Sequence, residues 1–234
     1  MMTNDHRKIR NHLRALLLLP IPALLMTVAF TALAPQENSL QPISRDLMVA
    51  LADSFARFEW SPTRPENLTA SCEQEKPYRS DWELNETVAG LPYDWGGMDD
   101  PDVFVRKLAE GQAAGSHSWH GPTACTTGMD CSGYVGYLWG VRDPAKKKST
   151  RSLYDIAVKP SYAATGDWFQ HLKPGDALNK PGSHVVLFAG YRPDGNPIVY
   201  EANGSAGRVI KNDWSTWARY NGYEPLEYAG VIQN

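Results

Sequence analysis

Four side chains that could together perform nucleophilic chemistry occur in order along the chain: Cys131, His184, Glu201 and Asn203. Cys131 follows Asp130, a residue type suited to capping a helix, so the thiol is expected in a first helical turn. At that position the helix dipole and the free backbone N–H groups favour a thiolate and can stabilise an oxyanion. The pattern predicts Cys131 as a nucleophile, against the alternative of a cysteine that is only buried.

A thiol nucleophile needs a base, and His184 is the best candidate. It begins the β-branched and aromatic segment 184–188, and a strand holds an imidazole more rigidly than a loop does. The remaining histidines are expected in the N-terminal segment, in a polar loop or at packed and surface positions, and they are His6, His12, His117, His120 and His171.

A base of this kind is usually oriented by a third group. Glu201 and Asn203 are two residues apart on a second strand pattern, so both face the same side of the sheet. A hairpin would bring this strand beside His184. Glu201 is then expected to accept the imidazole N–H, and Asn203 to orient the ring or support Glu201. The alternative for Glu201 is a surface carboxylate on an edge strand.

The sequence also predicts the helices and strands that must position these residues. Helix signals open at Ser44, Pro101 and Cys131, and strand signals cover 185–191 and 198–202. Because helices come first and antiparallel strands follow, the order predicts an α+β fold. For the first helix, the spacing predicts one buried face made of Leu47, Ala50, Leu51, Phe55 and Phe58.

The first 34 residues have the form of an export signal. Four Lys/Arg precede an apolar run at 15–34, which ends in Ala32-Leu33-Ala34. Either a cleaved signal peptide or an uncleaved membrane anchor fits, and both place residues 35–234 outside the cytoplasm, secreted or in the cell envelope. We expect a helix and an extended flanking region over 35–87 and a catalytic domain over 88–234.

Composition excludes several classes of protein. With 42% hydrophobic and 21% charged residues, the chain should fold around a core. Its formal net charge of -3 disfavours a nucleic-acid partner. The one basic cluster, Lys146 to Lys148, is expected in a solvated loop. No zinc pattern, P-loop or dinucleotide fingerprint occurs, so we predict no metal and no cofactor.

The chain has three cysteines, Cys72, Cys125 and Cys131. Outside the cytoplasm cysteines tend to pair, and an odd count leaves one thiol over. Our hypothesis is a Cys72–Cys125 disulfide with Cys131 free, and the alternative is three unpaired thiols.

Four segments resemble the NlpC/P60 peptidases, a branch of the papain-like cysteine hydrolases. They are LPYDWGG at 91–97, DCSG at 130–133, LKPGDAL at 172–178 and HVVLFAG at 184–190. They occur in the order of the family, and the resemblance covers about 88–204. It implies a central antiparallel sheet packed on the helix that carries the cysteine.

The resemblance also implies a reaction and a substrate. A thiolate would attack an amide of a bacterial cell-wall peptide, form an acyl-enzyme and be released by hydrolysis. The family pattern implies that Tyr93 lies near the oxyanion and that Asp130 and Ser132 hold a free amine of the substrate. Trp95 belongs to the same motif as Tyr93 and is expected at the substrate site.

This chain departs from the family at its third catalytic position. The family usually has a histidine there, whereas this chain has Glu201-Ala202-Asn203, which looks like the E-x-N of the related CHAP amidases. Three alternatives therefore stay open. They are a hydrolase of a different amide or ester, a non-catalytic binding module of the same fold, and a structural envelope protein.

Overall fold

A computed structural model describes residues 40–72, 78–117 and 121–233. The predicted signal or anchor segment at 1–34, and with it the apolar run at 15–34, lies outside the described residues. Within the described ranges, none of the helices has the length and apolar character needed to cross a membrane.

Three α-helices occur in the described part of the chain: α1 (Arg45–Ala56), α2 (Pro101–Ala109) and α3 (Cys131–Leu138). Each begins after a polar residue whose side chain accepts a hydrogen bond from the first turn, namely Ser44, Asp100 and Asp130. Such caps satisfy backbone N–H groups that have no partner within the helix. All three helix starts follow the signals in the sequence.

The strands form one large sheet and three small pairs. The order in the six-stranded sheet is β11-β10-β9-β8-β12-β7, and every pairing in it is antiparallel. The mixture of helices and antiparallel strands agrees with the predicted α+β class. The strands are β1 (Glu59–Trp60), β2 (Thr69–Ala70), β3 (Tyr78–Arg79), β4 (Val88–Ala89), β5 (Ala113–Ala114), β6 (Thr126–Thr127), β7 (Ala157–Val158), β8 (Ala177–Lys180), β9 (His184–Tyr191), β10 (Pro197–Asn203), β11 (Arg208–Asn212) and β12 (Glu224–Tyr228).

The main core lies between α3 and the sheet. Successive residues of β9 alternate between two apolar clusters, with Val185 and Leu187 in the cluster that contains α3. Val186 and Phe188 belong to a second cluster, on the opposite face of the sheet. Burial on both faces fixes the register of β9, since a slip of one residue would exchange the two sets. The position of His184 at the first residue of β9 is therefore fixed as well.

Cys72 and Cys125 form a disulfide bond that joins the region before α2 to the loop before α3. Cys131 is the free cysteine of the chain. This confirms the pairing inferred from the odd number of cysteines.

Replacing Cys72 and Cys125 together by serine is expected to lower the free energy of unfolding by about 2–5 kcal/mol, as for other native disulfides. Urea unfolding followed by tryptophan fluorescence measures the change. Thiol titration of the unreduced native protein provides the control and should report a single thiol after denaturation. A finding of three titratable thiols would contradict the bridge.

Candidate active site

Cys131 is the first residue of α3, and its side chain is almost covered, with 6% of the residue exposed. Asp130 caps the helix by accepting a hydrogen bond from the Gly133 N–H at 2.7 Å. The backbone N–H groups of the first turn come before the ladder of intrahelical hydrogen bonds and can serve an anion beside the sulfur. This is the position that the capping pattern predicts for the thiol.

Gly133 allows the start of α3 to approach the segment before it. A Cβ at Gly133 would lie 2.5 Å from the carbonyl oxygen of Gly97, and a Cβ at Gly97 would lie 2.5 Å from the carbonyl oxygen of Gly128. Both distances are far below van der Waals contact. Two glycines from separate segments are thus required for the backbone packing that places Cys131.

His184 begins β9 and meets the sulfur of Cys131. Its Nε2 lies 2.9 Å from Oε2 of Glu201, which leaves Nδ1 as the nitrogen available to the thiol. Burial opposes the charged form of the imidazole. Hydrogen bonds to Cys131 and Glu201, and the negative charges at both, nevertheless raise the pKa of His184 to about 9. The site therefore favours an imidazolium at neutral pH.

Glu201 lies on β10, with its side chain completely buried, and three side chains hold it. Besides His184, Asn212 donates to Oε1 at 3.1 Å, and Arg219 lies 3.1 and 3.2 Å from its two oxygens. Burial favours the neutral acid, yet the donors and the charges of His184 and Arg219 lower the pKa of Glu201. The residue is a buried carboxylate, which rules out the alternative of a surface position on an edge strand.

Asn203 was predicted to orient His184 or support Glu201, but its side chain makes different contacts. Its side-chain oxygen accepts hydrogen bonds from the backbone N–H groups of Ser205 and Ala206, at 2.9 and 2.8 Å, and so builds the turn after β10. The amide that supports Glu201 is Asn212, at the end of β11. The reason is the register, because Glu201 pairs with Ile210, and Asn212 lies two residues further on the same face.

Tyr93 and Trp95 stand beside the site on a loop that Asp94 holds in place. Oδ1 of Asp94 accepts hydrogen bonds from Ser116 at 2.6 Å and from Thr126 at 2.8 Å. Ser116 in turn accepts the backbone N–H of Trp95 at 2.9 Å. Burial raises the pKa of Asp94 to about 6, against the effect of these hydrogen bonds. The network sets the direction of the two aromatic side chains.

The hydroxyl of Tyr93 remains a hydrogen-bond donor over the whole neutral range. Burial raises its pKa well above the ordinary value, and the negative charges at Cys131, Asp130 and Asp94 act in the same direction. Tyr93 and Cys131 belong to the same buried cluster of side chains. A protonated phenol next to a nucleophile can donate to a developing oxyanion.

The side chains of Asp130 and Ser132 form hydrogen bonds within the protein. The carboxylate of Asp130 receives four donors: the N–H groups of Gly133 and Gly96, the hydroxyl of Ser132 at 3.0 Å and the ammonium of Lys147 at 2.7 Å. The resemblance implies that Asp130 and Ser132 bind a substrate amine, and this arrangement disagrees with it. A second ammonium would have to displace Lys147 from a carboxylate that is 10% exposed.

Lys147 likewise corrects the expectation of a solvated basic loop. Its side chain is 20% exposed and spans from that loop to the start of α3. Replacing Lys147 by methionine keeps the length of the side chain but removes the charged donor. We expect a loss of about 2 kcal/mol in the free energy of unfolding, the usual cost of a hydrogen bond to a charged group.

The neighbouring Lys148 supplies the control for that variant. It pairs with Asp155, whose side chain is 60% exposed. Lys148→Met should therefore cost less than about 1 kcal/mol, as for surface ion pairs. Chemical denaturation of both variants measures the difference. Equal losses would show that the contact with Asp130 adds no more to stability than the exposed pair does.

These elements surround a cleft with a volume of about 540 Å³. Of the predicted site residues, Tyr93, Trp95, His184 and Asn203 line it, whereas four others do not, namely Asp130, Cys131, Ser132 and Glu201. His117 is a wall residue that the sequence interpretation left on the surface. The complete lining consists of Tyr93, Trp95, His117, Ser183, His184, Asn203, Gly204, Ser205, Arg219 and Tyr223.

Cys131 is not itself a lining residue, since its side chain is almost covered, but it contacts His184, which lines the cleft. Across the described residues, no group of three or more His, Cys, Asp or Glu side chains is arranged to hold a metal ion. The chemistry that the site offers is that of a thiol, an imidazole and a buried carboxylate.

Comparison with known proteins gives no family for this chain. None of the protein-family models matches it. A search of curated proteins finds no significant match either.

Proposed function

We propose that the protein is a cysteine hydrolase that cleaves amide bonds in peptides of the bacterial cell wall. The observation that carries the proposal is the contact of Cys131 with His184, which in turn contacts the buried Glu201. The candidate nucleophile, base and orienting group are thus joined in one chain of contacts, of which His184 lines the cleft. The four segments that resemble NlpC/P60 peptidases support the cell-wall substrate.

The mechanism follows from the charges of the three groups. The thiolate of Cys131 attacks the amide carbonyl, and a C–S bond forms. The imidazolium of His184 gives its proton to the leaving amine as the C–N bond breaks. Neutral His184 then takes a proton from water, the hydroxide attacks the thioester, and the acid is released with the thiolate regenerated. Glu201 stabilises the imidazolium and keeps its orientation throughout.

The same arrangement supports a papain-like fold. The nucleophile begins α3, and this helix packs in one core with the antiparallel strands β9 and β10, which carry His184 and Glu201. In such a fold the nucleophile and the base meet because each stands at the first residue of its element, Cys131 in α3 and His184 in β9. The first-turn N–H groups of α3 and the hydroxyl of Tyr93 would stabilise the oxyanion.

One observation favours a second candidate, a hydrolase of a different amide or ester with the same catalytic groups. Lys147 occupies the carboxylate of Asp130, so the site does not offer the amine-binding pair that the family resemblance implies. A substrate without a free amine beside the scissile bond would suit this arrangement.

Digestion of purified muropeptides by the protein, with Cys131→Ala as the matched control, tests the proposal. We expect fragments whose masses together exceed the parent by one water, and these masses identify the bond. Cleavage by the Cys131→Ala variant would overturn the mechanism. Intact muropeptides together with a thiol that reacts rapidly would favour the second candidate.

A further inference from the structure

We propose that the cleft recognises a carboxylate on its substrate and that Arg219 is the receptor for it. The inference rests on the proposed function, because it concerns the same cleft, and it specifies the substrate as one with a free carboxylate close to the scissile bond. It goes beyond the catalytic groups to the residue that selects what they act on.

The first observation is the charge of the cleft wall. None of the lining residues is acidic, while Arg219 and the imidazolium of His184 are cationic. A third cation, Lys180, is paired with His184 in the register of β8 and β9, and its Nζ lies 5.9 Å from the centre of the Tyr223 ring. The two anions of the site, Glu201 and the thiolate of Cys131, are not lining residues, so the charged groups in the lining itself are cations. Such a surface attracts anions.

The second observation is the way Arg219 is held. It lies in the short helical turn Trp217–Tyr220, and its Nη2 contacts the completely buried Glu201. Its side chain is 41% exposed, and within the described ranges Nη1 and Nε have no protein partner. A guanidinium can donate five N–H groups in a fixed plane. Nη2 is therefore anchored by Glu201, and Nη1 and Nε remain as donors for a ligand.

The chemistry of the ligand follows from that geometry. A guanidinium N–H donates a charge-assisted hydrogen bond to a carboxylate oxygen, and such bonds are shorter and stronger than neutral ones. Ser183 and Ser205 on the same wall add hydroxyl donors. Peptides carry free carboxylates at their C-terminus and on acidic side chains. The inferred substrate bears one of these near the bond that Cys131 attacks.

Alkylation of Cys131 tests the inference without knowledge of the natural substrate. Iodoacetate and iodoacetamide react with the same thiolate by displacing iodide, but the first carries a carboxylate and the second a neutral amide. The ratio of their rate constants therefore cancels the reactivity of the sulfur and reports the environment of the carboxylate. We expect the native protein to favour iodoacetate about tenfold more than glutathione does, the ratio that one charge-assisted hydrogen bond provides.

Arg219→Gln should bring that ratio close to the value for glutathione, and Arg219→Lys should give an intermediate ratio because it keeps the charge but not the planar set of donors. Lys211→Gln, at an exposed position on β11 that does not line the cleft, is the control and should leave the ratio unchanged. Circular dichroism checks that each variant is folded, and the comparison of native protein with glutathione stands without any variant.

The outcomes separate this inference from the proposed function. A reactive Cys131 with the glutathione ratio in the native protein, or with equal ratios in native protein and Arg219→Gln, would overturn the carboxylate site alone. A Cys131 that reacts with neither reagent would overturn the accessible nucleophile and the carboxylate site together. A ratio that depends on Arg219 supports both.

Discussion

Replacement of Cys131 by alanine is expected to reduce amide hydrolysis by about four orders of magnitude or more, as removal of a nucleophile does in other hydrolases. The reason is that the remaining groups can bind and polarise the amide but cannot form the acyl-enzyme. His184→Ala should have a comparable effect, since it removes both the proton donor and the group that stabilises the thiolate. Initial rates on a muropeptide, measured by chromatography, give the ratio.

Stability provides the control for Cys131→Ala. The side chain loses a single sulfur atom, so the free energy of unfolding should fall by about 1 kcal/mol or less. Binding of the uncleaved peptide should survive, because Tyr93, Trp95 and Arg219 still line the cleft. If the variant keeps a tenth or more of the native rate while folded, Cys131 is not the nucleophile.

Much of the site could be predicted because its parts are local. The cap at Asp130 and the apolar residues after it indicate a helix that begins at Cys131, and it begins there. The strand pattern and the turn after it predict a hairpin, and β9 and β10 form one. The predicted spacing of Glu201 and His184 across that hairpin needs only two adjacent strands. Short-range rules are enough for such pairs.

The residues that escaped prediction depend on long-range contacts. Asn212 reaches Glu201 from a third strand, and Arg219 does so from an irregular turn that no periodicity marks. Lys147 belongs to a run of three lysines, and only the fold distinguishes the one that contacts Asp130. Each of these contacts satisfies a charge that burial would otherwise leave unpaired. A carboxylate that the sequence places in the interior therefore predicts hydrogen-bond donors around it, but the sequence does not identify those donors.

The first helix shows a different limit. The apolar spacing predicts Leu47, Ala50, Leu51, Phe55 and Phe58 as its buried face, whereas the buried residues of α1 are Met48, Ala52 and Phe55. Leu47 is 49% exposed. The predicted helical period is correct, but the buried stripe lies about one residue away from the predicted one. Where several stripes are apolar, the packing partner decides which is covered, and here α3 and the sheet decide it.

Replacement of Glu201 by glutamine is expected to lower kcat/KM at pH 8 by about a hundredfold, within the range of general acid–base effects. The charge of Glu201 is one of the causes that raise the pKa of His184 to about 9 against burial. Without that charge the imidazole loses its proton at lower pH. The alkaline limb of the pH–rate profile should therefore move from about 9 towards the ordinary histidine value of 6.5 or below it. The rate should suffer less at pH 6 than at pH 8.

Glu227→Gln is the matched control, because Glu227 also forms a partly buried ion pair, with Arg45, but does not line the cleft. Its variant should lose some stability and keep the native alkaline limb. A Glu201→Gln profile with an unshifted limb would show that Glu201 does not set the charge of His184. The contacts of Glu201 with Asn212 and Arg219 would then serve only the structure.

The same pair makes a signed prediction for stability. The pKa of His184 is raised on folding, so its contribution is fully present below about pH 6.5 and is lost as the pH rises through about 9. The pKa of Glu201 is lowered, so its contribution is present above about 4.5 and is lost as the pH falls. The difference in unfolding free energy between native protein and Glu201→Gln should therefore be largest between about pH 4.5 and 6.5. The rate of a thiolate–imidazolium site depends on the same two protonation states. We therefore expect the stability difference to shrink towards pH 9, where the alkaline limb of the rate also lies. Both effects have one origin, the proton on His184 between Cys131 and Glu201.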